Sequence, residues 1–204
     1  MNQSLNPWIT RPIPADGADT AAAEAHEPPA AVISAPLRGL VEPDAADRLG
    51  RRTVSGSAAL WVTGAHGGSG ESRIADLIGG ARVTGHCWPV LQDGSKPRML
   101  LVCRADMRGL TAAQSALTQW ASGAAPAVDL LGLAVLADAP GKTPKALRDF
   151  SAIVGGGAPR FWTLPWVEAW RHGDSTTAPS AREYQRFITD VAALATTTTL
   201  STTH

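Results

Sequence analysis

Four apolar runs, each followed by a segment of helical period, constrain this fold more than any other feature. "SAALWVTG" (57–64), "RMLLVCRAD" (98–106), "VDLLGLAVLAD" (128–138) and "PRFWTLPWV" (159–167) have the length and apolar density of buried strands. Between and after them come "ESRIADLIGGA", "TAAQSALTQWASG", "APGKTPKALRDFSAIVGGG" and "SAREYQRFITDVAALA". In these, apolar side chains recur on one helical face: Ile74, Leu77 and Ile78 in the first, Ala113, Leu117 and Trp120 in the second. A strand that alternates with a helix must cross over and return parallel, so both sheet faces become covered. The expected class is α/β, three-layered, with a mainly parallel sheet. "GHCWPVL" (85–91) adds a short strand, which Pro89 confines to an edge or a turn.

The chain has 204 residues, 44% of them hydrophobic, enough for one domain with a real core. Residues 1–52 are rich in Pro, Ala and Asp without periodicity, and residues 196–204 are low-complexity, so both read as disordered tails around a domain at 53–195. Lys plus Arg equals Asp plus Glu at 18 each, which argues against nucleic acid as a direct ligand. No transmembrane segment and no signal peptide is evident, and a cytoplasmic location is expected. Cys87 and Cys103 lack metal-site or disulfide spacing and read as buried free thiols.

Chemistry concentrates in "HGGSGES", residues 66–72, which leaves the first strand after Gly64 and opens the first helix. Gly67, Gly68 and Gly70 permit successive backbone N–H groups to turn inward as an anion nest. The helix that follows adds its positive end, and the carboxyl end of a parallel strand is where α/β sheets bind ligands. Ser72 stands where a hydroxyl would hold Mg²⁺. Glu71, however, puts a carboxylate in the middle of the loop. At about 4 Å from a phosphate oxygen and an effective dielectric near 20, it costs roughly 4 kcal/mol per charge pair. A helix dipole offsets at most about 2 kcal/mol of that. Three readings follow. Glu71 caps free N–H groups of the helix and the loop takes no ligand; or a cation such as Arg73, or one from a partner, restores nucleotide binding; or the loop takes some other ligand.

The loop resembles the deviant Walker A motif of the ParA/MinD-like ATPases, K-G-G-x-G-K-[ST], in degenerate form, with His66 and Glu71 in place of its two lysines. That resemblance implies a P-loop NTPase-like fold, ATP or GTP with Mg²⁺ as cofactor, and a nucleotide-sandwiched homodimer. It implies Gly64, His66, Gly67, Gly68, Ser69, Gly70, Glu71, Ser72 and Arg73 as the cofactor-binding set. "LLGLAVLADAPG" fits a Walker B strand, in which case Asp138 joins Ser72 on the metal, or else the later strand that carries a base-contacting Asn. "FWTLPWVEAW" resembles the segment near the adenine pocket without its aspartate. The G-A-H-G-G-x-G-E-S loop and W-x-L-P-W-V segment also resemble a group of actinobacterial proteins, a resemblance that brings no activity with it.

Trp162, Trp166 and Trp170 form a second candidate site, to recognise a base or a protein partner, or else a lid packed on the sheet edge, and Arg171 and His172 beside them read as a phosphate contact or as a solvated helix end. No G-x-S-x-G elbow is present, and His66, Ser69 and Glu71 are too close along one loop for an independently oriented relay. Three functions fit these residues. The foremost is a degenerate P-loop protein that serves as a regulatory or assembly partner with weak or no hydrolysis. The others are an NTPase completed by a second subunit, and a non-enzymatic module that binds protein through its tryptophans.

Overall fold

A computed structural model describes residues 35–37, 39–174 and 179–196. Among them, a 3₁₀ turn at Ala45–Asp47 leads into β1 (Gly50–Val54), then β2 (Leu60–Gly64), α1 (Glu71–Leu77), β3 (Ala81–Gly85) and β4 (Cys87–Leu91). The chain continues through β5 (Arg98–Arg104), α2 (Met107–Ala121), β6 (Asp129–Leu136), α3 (Lys145–Gly155), β7 (Phe161–Leu164), α4 (Glu168–Arg171) and α5 (Arg182–Thr196). β3, β2, β5, β6 and β7 form one sheet in that order, with every pairing parallel. β1 and β4 pair in parallel as a separate small sheet. The fold is thus α/β with a parallel central sheet, as the alternation of runs predicts, and its layout is compatible with that of P-loop NTPases.

Alternation along the strands sorts the core into two layers. Trp61, Met99, Leu101, Leu133 and Val135 face Leu110, Ala113 and Leu117 of α2 and Val154 of α3. Leu60, Val62, Leu100, Val102, Ala134 and Leu136 face Ile74 of α1 and Tyr184, Phe187 and Val191 of α5. Crossover handedness explains the split. From β2 the chain steps to β3 on one side, whereas from β5 it steps to β6 and β7 on the other, so right-handed crossovers place α1 on one face and α2 and α3 on the opposite one. The point of reversal lies between the carboxyl ends of β2 and β5, the position at which open α/β sheets form a ligand crevice.

Three expectations change in detail. The tail and domain meet earlier than residue 53, because Gly50, Arg51 and Arg52 belong to β1. The buried Gln119 explains why that strand is ordered: its side chain accepts from Leu49 N–H and Trp88 Nε1 and donates to Leu49 C=O. Residues 81–91 hold two strands instead of one, and Pro89 sits in the small sheet, where β4 has a single partner and a missing N–H is tolerated. Helix α2 starts at Met107, four residues before "TAAQ", because Asp106 caps it by accepting from Gly109 N–H at 2.6 Å. Of the expected tails, residues 1–34, 38 and 197–204 lie outside the described residues. No helix among the described residues is long and apolar enough to cross a membrane. Cys103 is buried and Cys87 half-buried, both as free thiols.

Candidate functional site

The glycine loop links β2 to α1 at the reversal point, and its conformation depends on glycine at two positions. Gly68 (φ +79°) and Gly70 (φ +95°) adopt left-handed backbone, which lets the chain fold back before α1 begins at Glu71. Gly64 is required for space. A Cβ there would stand 2.4 Å from Ser69 Oγ, 2.9 Å from His86 Nδ1 and 3.0 Å from Glu71 Oε2. These distances locate the loop's polar groups: they converge over the end of β2.

Glu71 points into that space. Its side chain is 14% exposed, Oε2 accepts a 2.5 Å hydrogen bond from the fully buried Ser69 hydroxyl, and Oε1 lies 3.9 Å from Nδ1 of His86. No backbone N–H of the loop donates to the carboxylate. The expected capping of helix N–H groups by Glu71 is therefore replaced by a side-chain clamp. The clamp is formed because Ser69, two residues earlier on the tight turn, reaches the carboxylate before any main-chain group does. His86, 43% exposed on the segment between β3 and β4, adds at most a weak charge pair at that separation.

His66 is turned inward. Its Nε2 accepts from Arg104 N–H at 3.2 Å, which leaves the proton on Nδ1 to donate to Gly67 C=O at 2.9 Å. Both ring nitrogens thus bond within the chain. Gly109 makes the approach of α2 possible, since a Cβ there would meet His66 Nε2 at 2.8 Å.

The strand next to β2 is β5, and it ends in Arg104, with no acid at that place. The Arg104 guanidinium spans the crevice, with Nε donating to Gly68 C=O at 3.2 Å and one terminal nitrogen to Ala137 C=O at 3.0 Å. Asp106, two residues on, is committed to capping α2. Asp138 follows β6 and is exposed, as is Ser72. β5 separates the strands that lead to them, an offset of roughly 10 Å at about 4.8 Å per strand step. No group of three or more His, Cys, Asp or Glu suited to a metal occurs among the described residues.

Arg73 has its ion pair with Asp76, not Glu71, and helps line a cavity of about 140 Å³ beyond the carboxyl ends of β6 and β7. Arg104, Arg171, Trp166, Trp170 and Tyr184 share that wall, and no carboxylate lines it. Tyr184 is buried, donates to Pro165 C=O at 3.0 Å and stacks edge-on with Trp170. Burial pushes its phenol above the usual range, and the positive charge of Arg104 pulls it partly back. Of the three tryptophans singled out in the sequence, Trp162 and Trp170 pack against the core layer under α5, and Trp162 donates to Asp190 at 3.1 Å. Trp166 donates to Glu168 at 2.6 Å and stands on the cavity rim. Arg104, Tyr184 and His86 are the functional candidates absent from the sequence reading. Only Arg104 carried a signal, as the cation at the end of a strong strand.

The chain belongs to a family of unknown function, DUF6668, whose model matches residues 58–186. That span contains the glycine loop and every residue of the arginine-lined cavity. No curated protein and no solved structure matches the chain.

Proposed function

We propose that this protein is a degenerate P-loop protein of ParA/MinD type, a cytoplasmic regulatory or assembly partner that does not hydrolyse nucleotide efficiently. The observation that carries the reading is the Glu71 carboxylate, drawn in by Ser69 at 2.5 Å over the end of β2, where a phosphate-binding loop presents a cation. At about 4 Å from a phosphate oxygen, the charge reversal turns a gain of roughly 4 kcal/mol into a cost of the same size. Ser72 and Asp138 would be the Mg²⁺ ligands of an active relative of this design. Both are exposed, and the strand beside the loop ends in Arg104 where a metal-binding acid is required. ATP or GTP is thus no productive cofactor in this reading, and the role falls to contacts with a protein partner or a second copy of the chain.

Thermal unfolding of the full chain with and without MgATP or MgGTP, run beside a phosphate-release assay, tests this. A ligand at 100 times its dissociation constant adds about 2.7 kcal/mol, an effect easily read as a shifted midpoint. No shift and no release are expected. A clear shift accompanied by turnover overturns the proposal.

A further inference from the structure

Three arginines line one small cavity, and only one has its guanidinium fully engaged by the protein. Arg104 is tied to Gly68 and Ala137 carbonyls, so a structural role accounts for it. Arg73 has only Asp76 for a partner, at 4.0 Å, and that carboxylate is 64% exposed. The Arg171 side chain is exposed and has no ion pair or side-chain hydrogen bond among the described residues. The cavity wall itself carries no acid, Asp76 lying beside Arg73 and Glu168 on Trp166 outside it, so the cations facing it repel one another and an anion removes that repulsion. Guanidinium forks suit the tetrahedral oxygens of phosphate in bidentate geometry.

Size and the other walls narrow the class. At about 140 Å³ the space falls below the roughly 300 Å³ at which whole drug-sized ligands are accommodated, and matches the about 150 Å³ that holds a benzene ring. Trp166, Trp170 and Tyr184 supply flat apolar surface beside the charge. Three cations favour a phosphate monoester, which carries about −1.5 to −2 at neutral pH, over a carboxylate with a single charge.

We propose that the Arg73, Arg104 and Arg171 cavity binds a small phosphate monoester, its phosphate held by the guanidinium groups and its organic group lying on Trp166. The proposal rests on this cavity alone and stands whether or not the glycine loop takes nucleotide.

The test is calorimetric titration of the full chain with phenyl phosphate, inorganic phosphate, benzoate and phenol, each also run against variants. Phenyl phosphate is expected to bind at least roughly tenfold tighter than benzoate or inorganic phosphate, with phenol undetectable and affinity falling as salt rises. Arg171→Gln and Arg73→Gln, both at partly or largely exposed side chains and so compatible with folding, are each expected to weaken phenyl phosphate roughly tenfold or more. Trp166→Ala is expected to bring phenyl phosphate down to the level of inorganic phosphate. Arg148→Gln, at an exposed arginine of α3 on the opposite face of the sheet, is expected to leave phenyl phosphate binding unchanged.

Absence of binding overturns the proposal, and so does binding that survives both arginine substitutions together. Phenol or benzoate binding as tightly as phenyl phosphate also overturns it. A comparable loss in Arg148→Gln shows attraction by overall charge alone and overturns the site.

Discussion

The Ser69 hydroxyl donates to Glu71 Oε2 across 2.5 Å, and both groups crowd the space in front of Gly64. A Cβ at that glycine would lie 2.4 Å from the serine oxygen, and the β2 backbone, buried in mid-sheet, has nowhere to retreat. Gly64→Ala is therefore expected to destabilise the fold by about 1–3 kcal/mol, the usual cost of overpacking. Chemical denaturation reads this directly, and an unchanged midpoint contradicts the geometry of the clamp.

Removing the donor tests the same contact from the other side. Ser69→Ala leaves a mostly buried carboxylate without its hydrogen bond, with an expected loss of about 1–3 kcal/mol. A double-mutant cycle with Glu71→Gln separates the pair energy from the effect of either residue alone. A coupling near zero contradicts the account.

Gln119 holds β1 through Leu49 and also satisfies Trp88. Its replacement by Leu strands a buried indole N–H and main-chain groups, and the expected cost is roughly 2 kcal/mol or more. Hydrogen exchange is expected to accelerate first in β1 and β4, the small sheet that depends on this side chain. Uniform acceleration across both sheets contradicts that assignment.

The Cys103 thiol is pushed up to about 12 from an ordinary value of 9.0, first by burial and then by the charge of Asp106. Folded chains then keep the proton that unfolded chains release, so stability is fully present below pH 9.0 and is lost as pH rises toward about 12. The buried Tyr184 phenol, also raised, acts in the same direction. Denaturation midpoints at rising pH are expected to fall in this window, and to fall less steeply for Cys103→Ala. In native protein at neutral pH, a thiol reagent is expected to label the half-buried Cys87 ahead of Cys103. Equal labelling rates contradict the burial argument.

The large features of this molecule were legible because they are periodic. Apolar runs of strand length alternating with helical faces require a parallel sheet, and the glycine loop after "ALWVTG" falls at its reversal point because that run is the strand from which the chain turns both ways. β3 was not legible, since an edge strand with Arg82 and Val83 exposed and Thr84 alone fully buried shows no apolar pattern. The arginine cavity was legible only in separate residues, Arg73 and Arg171, and its assembly was not, for a different reason. Arg73, Arg104, Arg171 and Tyr184 come from four separate elements, and only three-dimensional packing brings them together. Glu71 was conspicuous by type, but its direction depended on Ser69, a contact between close neighbours that spacing alone does not specify.

The central claim is that one inward carboxylate keeps this loop from holding phosphate, and the most direct measurement compares MgATP and MgGTP affinity of the wild-type chain with that of Glu71→Lys. The account predicts no measurable binding in the wild type and a gain of at least roughly tenfold in the variant, since removing a cost of about 4 kcal/mol far exceeds the 1.4 kcal/mol of each decade. Tight binding by the wild type that Glu71→Lys leaves unchanged would contradict it.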